Sequence, residues 1–220
     1  PEHLSLLETQ RDRRGWDGAL VKNPNCSTIT MVPPLAALAQ FDIERVHVAT
    51  LQAVSGAGYS GVTSMEIIDN AIPHIGGEEE KMENESRKLL GAYDDGAIDW
   101  LDAPVTASCN RIPTIDGHLE NVFGEFDEDP SLEAVEAALT DAPTIDLPSA
   151  PDPLIEVFED PDRPQPRLDR MVGDGMGIAV GGLQATESGV QFNVLAHNTI
   201  RGAAGASILN GELLAAEGWL

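Results

Sequence analysis

The sequence predicts an α+β fold, a mixed sheet with helices on one face. Three observations predict it. Residues 45–54 alternate, with Val46, Val48, Thr50 and Gln52 on one face, as a half-buried strand requires. Helical segments, 78–90 and 131–139 among them, interleave with strand patterns in irregular order, not in strict βα alternation. The 220 residues, 42% hydrophobic and 23% charged, are an ordinary globular composition with ample chain for a core.

Each element follows from local chemistry. Residues 4–14 fit a short helix ended by Gly15. Asn23-Pro24-Asn25 is turn chemistry leading into the apolar stretch 27–41. There Ile29, Leu35 and Leu38 recur at helical spacing, and Pro33-Pro34 is expected to kink the stretch into two short helices. After the 45–54 strand comes a Gly-rich turn and then residues 63–72. Residues 78–90 read as a charged helix whose apolar contacts are Met82, Leu89 and Leu90. Residues 105–112 and 118–126 read as a strand pair flanking a turn. Ser131 caps a helix running to 139. The Pro- and Asp-rich stretch 141–166 reads as an extended loop. Residues 177–183 and 190–195 are strands, and 202–216 is a helix of small residues. No internal repeat is present.

Charge narrows the function. Asp and Glu number 37 against 13 Lys and Arg, a formal net charge of −24. A phosphate backbone would be repelled, so electrostatic binding of nucleic acid is excluded. No apolar run reaches the roughly 20 residues of a spanning helix, so no membrane role is expected. Two cysteines, Cys26 and Cys109, make no disulfide framework, and a reducing cytoplasm is the expected location. The scarcity of lysine (Lys22, Lys81 and Lys88 only) and the clustered acids point to a high-salt cytoplasm, where carboxylates hold water and self-repulsion is screened. Pro1 is no natural start and suggests processing or truncation.

Gly56-Ala57-Gly58-Tyr59-Ser60-Gly61 matches the glycine pattern of dinucleotide-binding loops. That reading needs a second parallel strand after the helix. Here the segment runs into Pro73, Gly76-Gly77 and a polar helix, so a tight functional turn is expected instead.

Cys26 follows Asn23-Pro24-Asn25 where a loop becomes a helix. The positive end of a helix dipole there favours thiolate, the nucleophilic form. A reactive thiol needs a proton partner. His118, seven residues beyond Arg111 across a short turn, is the candidate acid/base, with His197 and His74 as competitors. The Arg111 guanidinium suits a carboxylate. Glu78-Glu79-Glu80-Lys81 reads in the first instance as a helix start. His74 and Glu78 lack a third ligand, so no metal is expected.

The motifs then add up. Asn23-Pro24-Asn25-Cys26-Ser27-Thr28, the run from Gln52 to Gly58, Gly76-Gly77-Glu78-Glu79-Glu80-Lys81, Arg111 with His118, Arg163-Pro164-Gln165-Pro166-Arg167 and the run from His197 to Gly205 occur in order. Together they closely resemble the aspartate-semialdehyde dehydrogenase family in its archaeal and fungal form. The resemblance implies a glyceraldehyde-3-phosphate-dehydrogenase-like catalytic and dimerisation domain over residues 26–197. Residues 1–25 would be a hinge from an N-terminal NADP-binding domain absent here, and 198–220 a C-terminal helix packing on that domain. It implies reduction of aspartyl-4-phosphate by NADPH to aspartate 4-semialdehyde and phosphate, on the route to lysine, methionine and threonine. Cys26 would form a thioester and His118 handle protons. Arg111 would clamp the substrate carboxylate, Glu79 its ammonium and Lys81 the phosphate, with Asn25 beside it and Gln52 orienting the substrate. Ser55, Gly56 and Asn198 would touch NADP. A homodimer or homotetramer is implied. The alternatives are a related acyl-CoA reductase, such as one acting on malonyl-CoA, or a folded, dimerising but inactive fragment. The 220 residues alone are expected to show no turnover.

Overall fold

A computed structural model describes residues 3–220. In chain order its elements are α1 (Leu6–Arg14), α2 (Cys26–Leu38), β1 (Ile43–Gln52), α3 (Ser64–Ile67), α4 (Glu78–Leu89), β2 (Ala92–Asp94), β3 (Ala97–Asp99), β4 (Val105–Arg111), β5 (His118–Phe126), α5 (Leu132–Thr140), β6 (Ile155–Phe158), α6 (Pro166–Asp169), β7 (Ile178–Ala185), β8 (Gly189–Ala196) and α7 (Gly205–Ala216). The alternation of β1 is realised, with Val46, Val48, Thr50 and Gln52 all buried.

Six strands form one mixed sheet in the order β4-β1-β5-β8-β7-β6. β1–β4 and β6–β7 are parallel, and the remaining pairs are antiparallel. Helices α2, α4 and α5 cover one face. Under them lies the core: Met31, Leu35 and Leu38 of α2, Met82 of α4 and Leu139 of α5 against Val46, Val122, Phe192 and Val194. The opposite face carries Arg45 and His47 of β1, Thr106 and Ser108 of β4, and Phe123 of β5, all exposed.

Several expectations are corrected. β4 and β5 are not paired with each other, because β1 lies between them and hydrogen-bonds to both edges. The 112–117 turn carries the chain past the end of β1, where Val54 and Ser55 N–H donate to the carbonyls of Thr114 and Ile115. α2 is one helix of 13 residues that continues through Pro33 and Pro34. An interior proline costs about 3 kcal/mol. Burying Met31, Leu35 and Leu38 completely, on both sides of the prolines, contributes roughly 2 kcal/mol each and holds the helix on the sheet. The expected loop 141–166 contains β6, and the small β2–β3 hairpin was not legible. The stretch 202–216, expected as one helix, begins within a π-helical turn, Ile200–Ala204, and continues as α7.

The glycine pattern at 56–61 lies in and after a 3₁₀ turn, Val54–Ala57, followed by the single-turn α3. A parallel crossover does run from β1 through α4 to β4, but α4 begins only at Glu78. The glycines therefore do not stand at a helix N-terminus, and the geometry that cradles a pyrophosphate is absent at this turn.

Phe192→Ala should cost about 3–5 kcal/mol in chemical denaturation, since its ring is completely buried, whereas Ile115→Ala at an exposed turn should be near neutral.

Candidate active site

The site begins at a helix cap. The Asn25 side-chain oxygen accepts from the N–H groups of Ser27 (2.8 Å) and Thr28 (3.3 Å) and so starts α2 at Cys26. Its amide donates to Glu78 Oε1 at 2.9 Å, and its own N–H donates to Glu85 Oε2 at 2.6 Å. Asn25, expected at the substrate, is thus engaged in capping α2 and tethering α4. Gly202 of the π turn packs on Cys26, where an added Cβ would come within 2.8 Å of the Cys26 Cβ.

Cys26 Sγ lies 3.3 Å from Nε2 of His118, the first residue of β5. The other ring nitrogen, Nδ1, accepts the Ala53 N–H at 3.1 Å. A backbone N–H can only donate, so Nδ1 is unprotonated and the neutral ring carries its proton on Nε2, directed at sulfur. Burial drives the His118 pKa down to about 3, helped by Arg111 and His197. Burial also pushes the Cys26 thiol up to about 11, aided by Glu78 and Glu120 and opposed by backbone N–H groups of Cys26 and Ser27. The resting pair is therefore a neutral thiol and a neutral imidazole. His197 directs its ring to Thr199, and His74 is exposed on a loop.

Around this pair stand the other expected groups. Arg111, at the end of β4 and buried, donates from Nη1 to the Ala53 carbonyl at 2.6 Å. Gln52 is 1% exposed, and neither its amide oxygen nor its nitrogen has a partner. Glu79 points elsewhere than expected: its Oε1 accepts the Cys109 N–H at 3.2 Å. The buried glutamate beside Asn25 is Glu78, and its charge is felt by Cys26 and Arg111. The signal for it was Met82, four residues on, whose apolar side chain marks the packed face of the helix. Lys81 itself is exposed. Glu120, on the face of β5 that carries His118, escaped the sequence reading, although an i, i+2 spacing along a strand announces it.

On the third side, Asn198 accepts the Gly117 N–H (2.8 Å) and donates to Ser55 Oγ (2.8 Å). Both of its polar atoms are engaged, so it positions the turns around His118. Gly56 is different. A Cβ there would lie 2.8 Å from Arg111 Nη1 and 3.0 Å from His118 Cε1. Bare backbone there lets the turn close tightly on the guanidinium and the imidazole, where a side chain would not fit.

Residues 34–201 match the family model described as semialdehyde dehydrogenase, dimerisation domain. The chain belongs to this family. Gln52, Glu78, Lys81, Arg111 and His118 lie inside the matched span, and Cys26 precedes it. This family member is 53% identical over 218 residues to the aspartate-semialdehyde dehydrogenase of Archaeoglobus fulgidus, covering 99% of this chain and 64% of that protein. It is 44% identical to the Aspergillus fumigatus enzyme of the same name, covering 100% of this chain and 65% of the relative. The chain thus spans less than two thirds of the length of these relatives. The Candida albicans aspartate semialdehyde dehydrogenase, whose crystal structure was determined with NADP, superposes with a TM-score of 0.89 at 38% identity, over 100% of this chain and 66% of that one. The mixed sheet with its helical face is the dimerisation-domain fold. Among the described residues no helix is long and apolar enough to cross a membrane.

The buried histidine makes stability depend on acid. The unfolded chain binds a proton at His118 near its ordinary pKa of 6.5, and the folded chain only near 3. Stability should therefore fall as pH drops from about 6.5 toward 3. In His118→Gln this component should vanish from urea melts taken across that window.

Proposed function

We propose that the chain carries the catalytic site of an NADP-dependent aspartate-semialdehyde dehydrogenase, which converts aspartyl-4-phosphate to aspartate 4-semialdehyde. The observation that carries the reading is the Cys26 Sγ–His118 Nε2 contact of 3.3 Å at a capped helix start, with Arg111 and Glu78 beside it. A cation and an anion at one thiol suit a substrate that bears both a carboxylate and an ammonium. Arg111 takes the α-carboxylate, Glu78 the ammonium and Lys81 the phosphate, while the unpartnered Gln52 amide orients the acyl group.

The chemistry follows from these roles. The Cys26 thiolate, held by the His118 Nε2–H and the first N–H groups of α2, attacks the acyl carbon. The carbon–sulfur bond forms and the bond to the phosphate oxygen breaks; phosphate leaves with that electron pair and carries off the proton that the resting thiol gives up, leaving a thioester. Bound NADPH supplies the hydride that reduces the acyl carbon. His118 Nε2–H donates to the resulting oxyanion. Collapse of that oxyanion breaks the carbon–sulfur bond, returns the electron pair to sulfur and frees the aldehyde. A ring that stays neutral and donates from Nε2 serves both the thiolate and the oxyanion.

We further propose that two copies pair through the open part of the sheet face formed by β4, β1 and β5, which exposes Phe123. Phe123→Glu should weaken the dimer in sedimentation equilibrium without unfolding the chain.

The reaction is tested in a chain extended to the full length of its relatives, following NADPH formation from aspartate semialdehyde. Activity should require phosphate and fall by about 10³-fold or more in Cys26→Ala, a loss of about 4 kcal/mol of transition-state stabilisation. Glu78→Gln should raise KM about tenfold or more, and Glu79→Gln should change it little. Phosphate-independent activity with coenzyme A and malonate semialdehyde would overturn the substrate assignment.

A further inference from the structure

Glu120 follows His118 by two residues on β5, so both side chains leave the same face of the sheet, the face covered by α2. It is completely buried, and neither of its carboxyl oxygens has a hydrogen-bond partner. The Ser27 hydroxyl, next to Cys26 in the first turn of α2, is likewise buried without a partner, and it is the hydroxyl that bears on the Glu120 carboxyl. Among the described residues no Lys, Arg or His forms an ion pair with Glu120. A carboxylate sealed in this way, with no cation paired to it and no hydrogen bond made, is strongly disfavoured. A proton resolves the conflict, because the acid is then neutral and can donate to Ser27 Oγ.

We propose that Glu120 is a positioning residue for the nucleophile: a carboxyl that is uncharged beside the resting thiol, lies against the first turn of α2, and competes with Cys26 for a single negative charge. Glu78 already bears on both groups with its own charge. Burial holds the Glu120 carboxyl well above the usual carboxylate range, and Glu78 raises it further. The titratable groups that bear on this pocket are Cys26 from α2, Glu78 and Glu79 from α4, Cys109 and Arg111 from β4, and His118 from β5 itself. β1 and β8 place the uncharged Thr50 and Val194 opposite Glu120. Once Glu120 ionises, its charge opposes formation of the Cys26 thiolate, so the two groups compete for one charge. The role rests on Cys26 being the nucleophile, and the test reads the thiol, not turnover.

The rate of Cys26 alkylation by iodoacetamide is measured against pH in the protein, in Glu120→Gln and in Ser27→Ala, with peptide mass spectrometry separating Cys26 from Cys109. Glu120→Gln keeps the shape and a donor for Ser27 but cannot ionise. Its thiol inflection should move down by about one unit, which speeds alkylation at pH 9 about tenfold, and its curve should sharpen to a single titration. Ser27→Ala removes the hydroxyl that favours the charged carboxyl, so its inflection should move the same way by less. Superimposable curves in folded variants, checked by near-ultraviolet circular dichroism, would overturn the proposal. If Glu120→Gln does not fold, Ser27→Ala decides alone by the same criterion. A wrong assignment of the reaction would instead appear as missing phosphate-dependent turnover, with the thiol curves still readable.

Discussion

The Ala53 peptide, just past the end of β1, donates its N–H to His118 Nδ1 and accepts Arg111 at its carbonyl. These two bonds set the ring tautomer and the position of the cation, and both strands that supply those side chains are hydrogen-bonded to β1. A shift at the end of β1 would therefore move acid, cation and sheet together. Asn25 does the corresponding work on the helical side, starting α2 at Cys26 and holding Glu78 of α4. The site is the place where these two anchors meet.

The electrostatics run against a resting thiolate. Cys26 is half-buried and faces Glu78 and Glu120, and the whole chain carries −24. Arg111 and the N–H groups of the α2 cap are the countervailing dipoles and charge. A thiol kept neutral until a substrate with its own charges arrives is protected from adventitious oxidation and alkylation. The burial that raises the thiol also strengthens every hydrogen bond that later stabilises the thiolate and the oxyanion. The outer carboxylates are a separate matter, since they sit in solvent and are screened by salt.

The strand face of β1, the Ser131 cap, the charged α4 and the pairing of Cys26 with His118 were legible because each depends on local chemistry or on a dense motif. The order of the strands was not. Nothing in residues 105–126 announces that β1 will lie between two segments joined by a short turn. α2 defeated a local rule, because the prolines at 33 and 34 are outweighed by packing that only the sheet provides. Glu79 was favoured over Glu78 because three identical residues carry no phase of their own. Two tertiary bonds separate them, from the Asn25 side-chain amide to Glu78 and from the Cys109 N–H to Glu79. The Ala53 contacts are made by backbone and leave no mark in the sequence at all.

The account turns on which nitrogen of His118 carries the proton. The most direct measurement is nitrogen-15 magnetic resonance of the His118 side chain in the folded protein, followed from pH 8 to pH 5. Nδ1 should resonate as an unprotonated and Nε2 as a protonated nitrogen, with no titration across that range. Protonation of both nitrogens near neutral pH, or a proton on Nδ1 with Nε2 bare, would contradict the Ala53 lock and the donor role assigned to the ring.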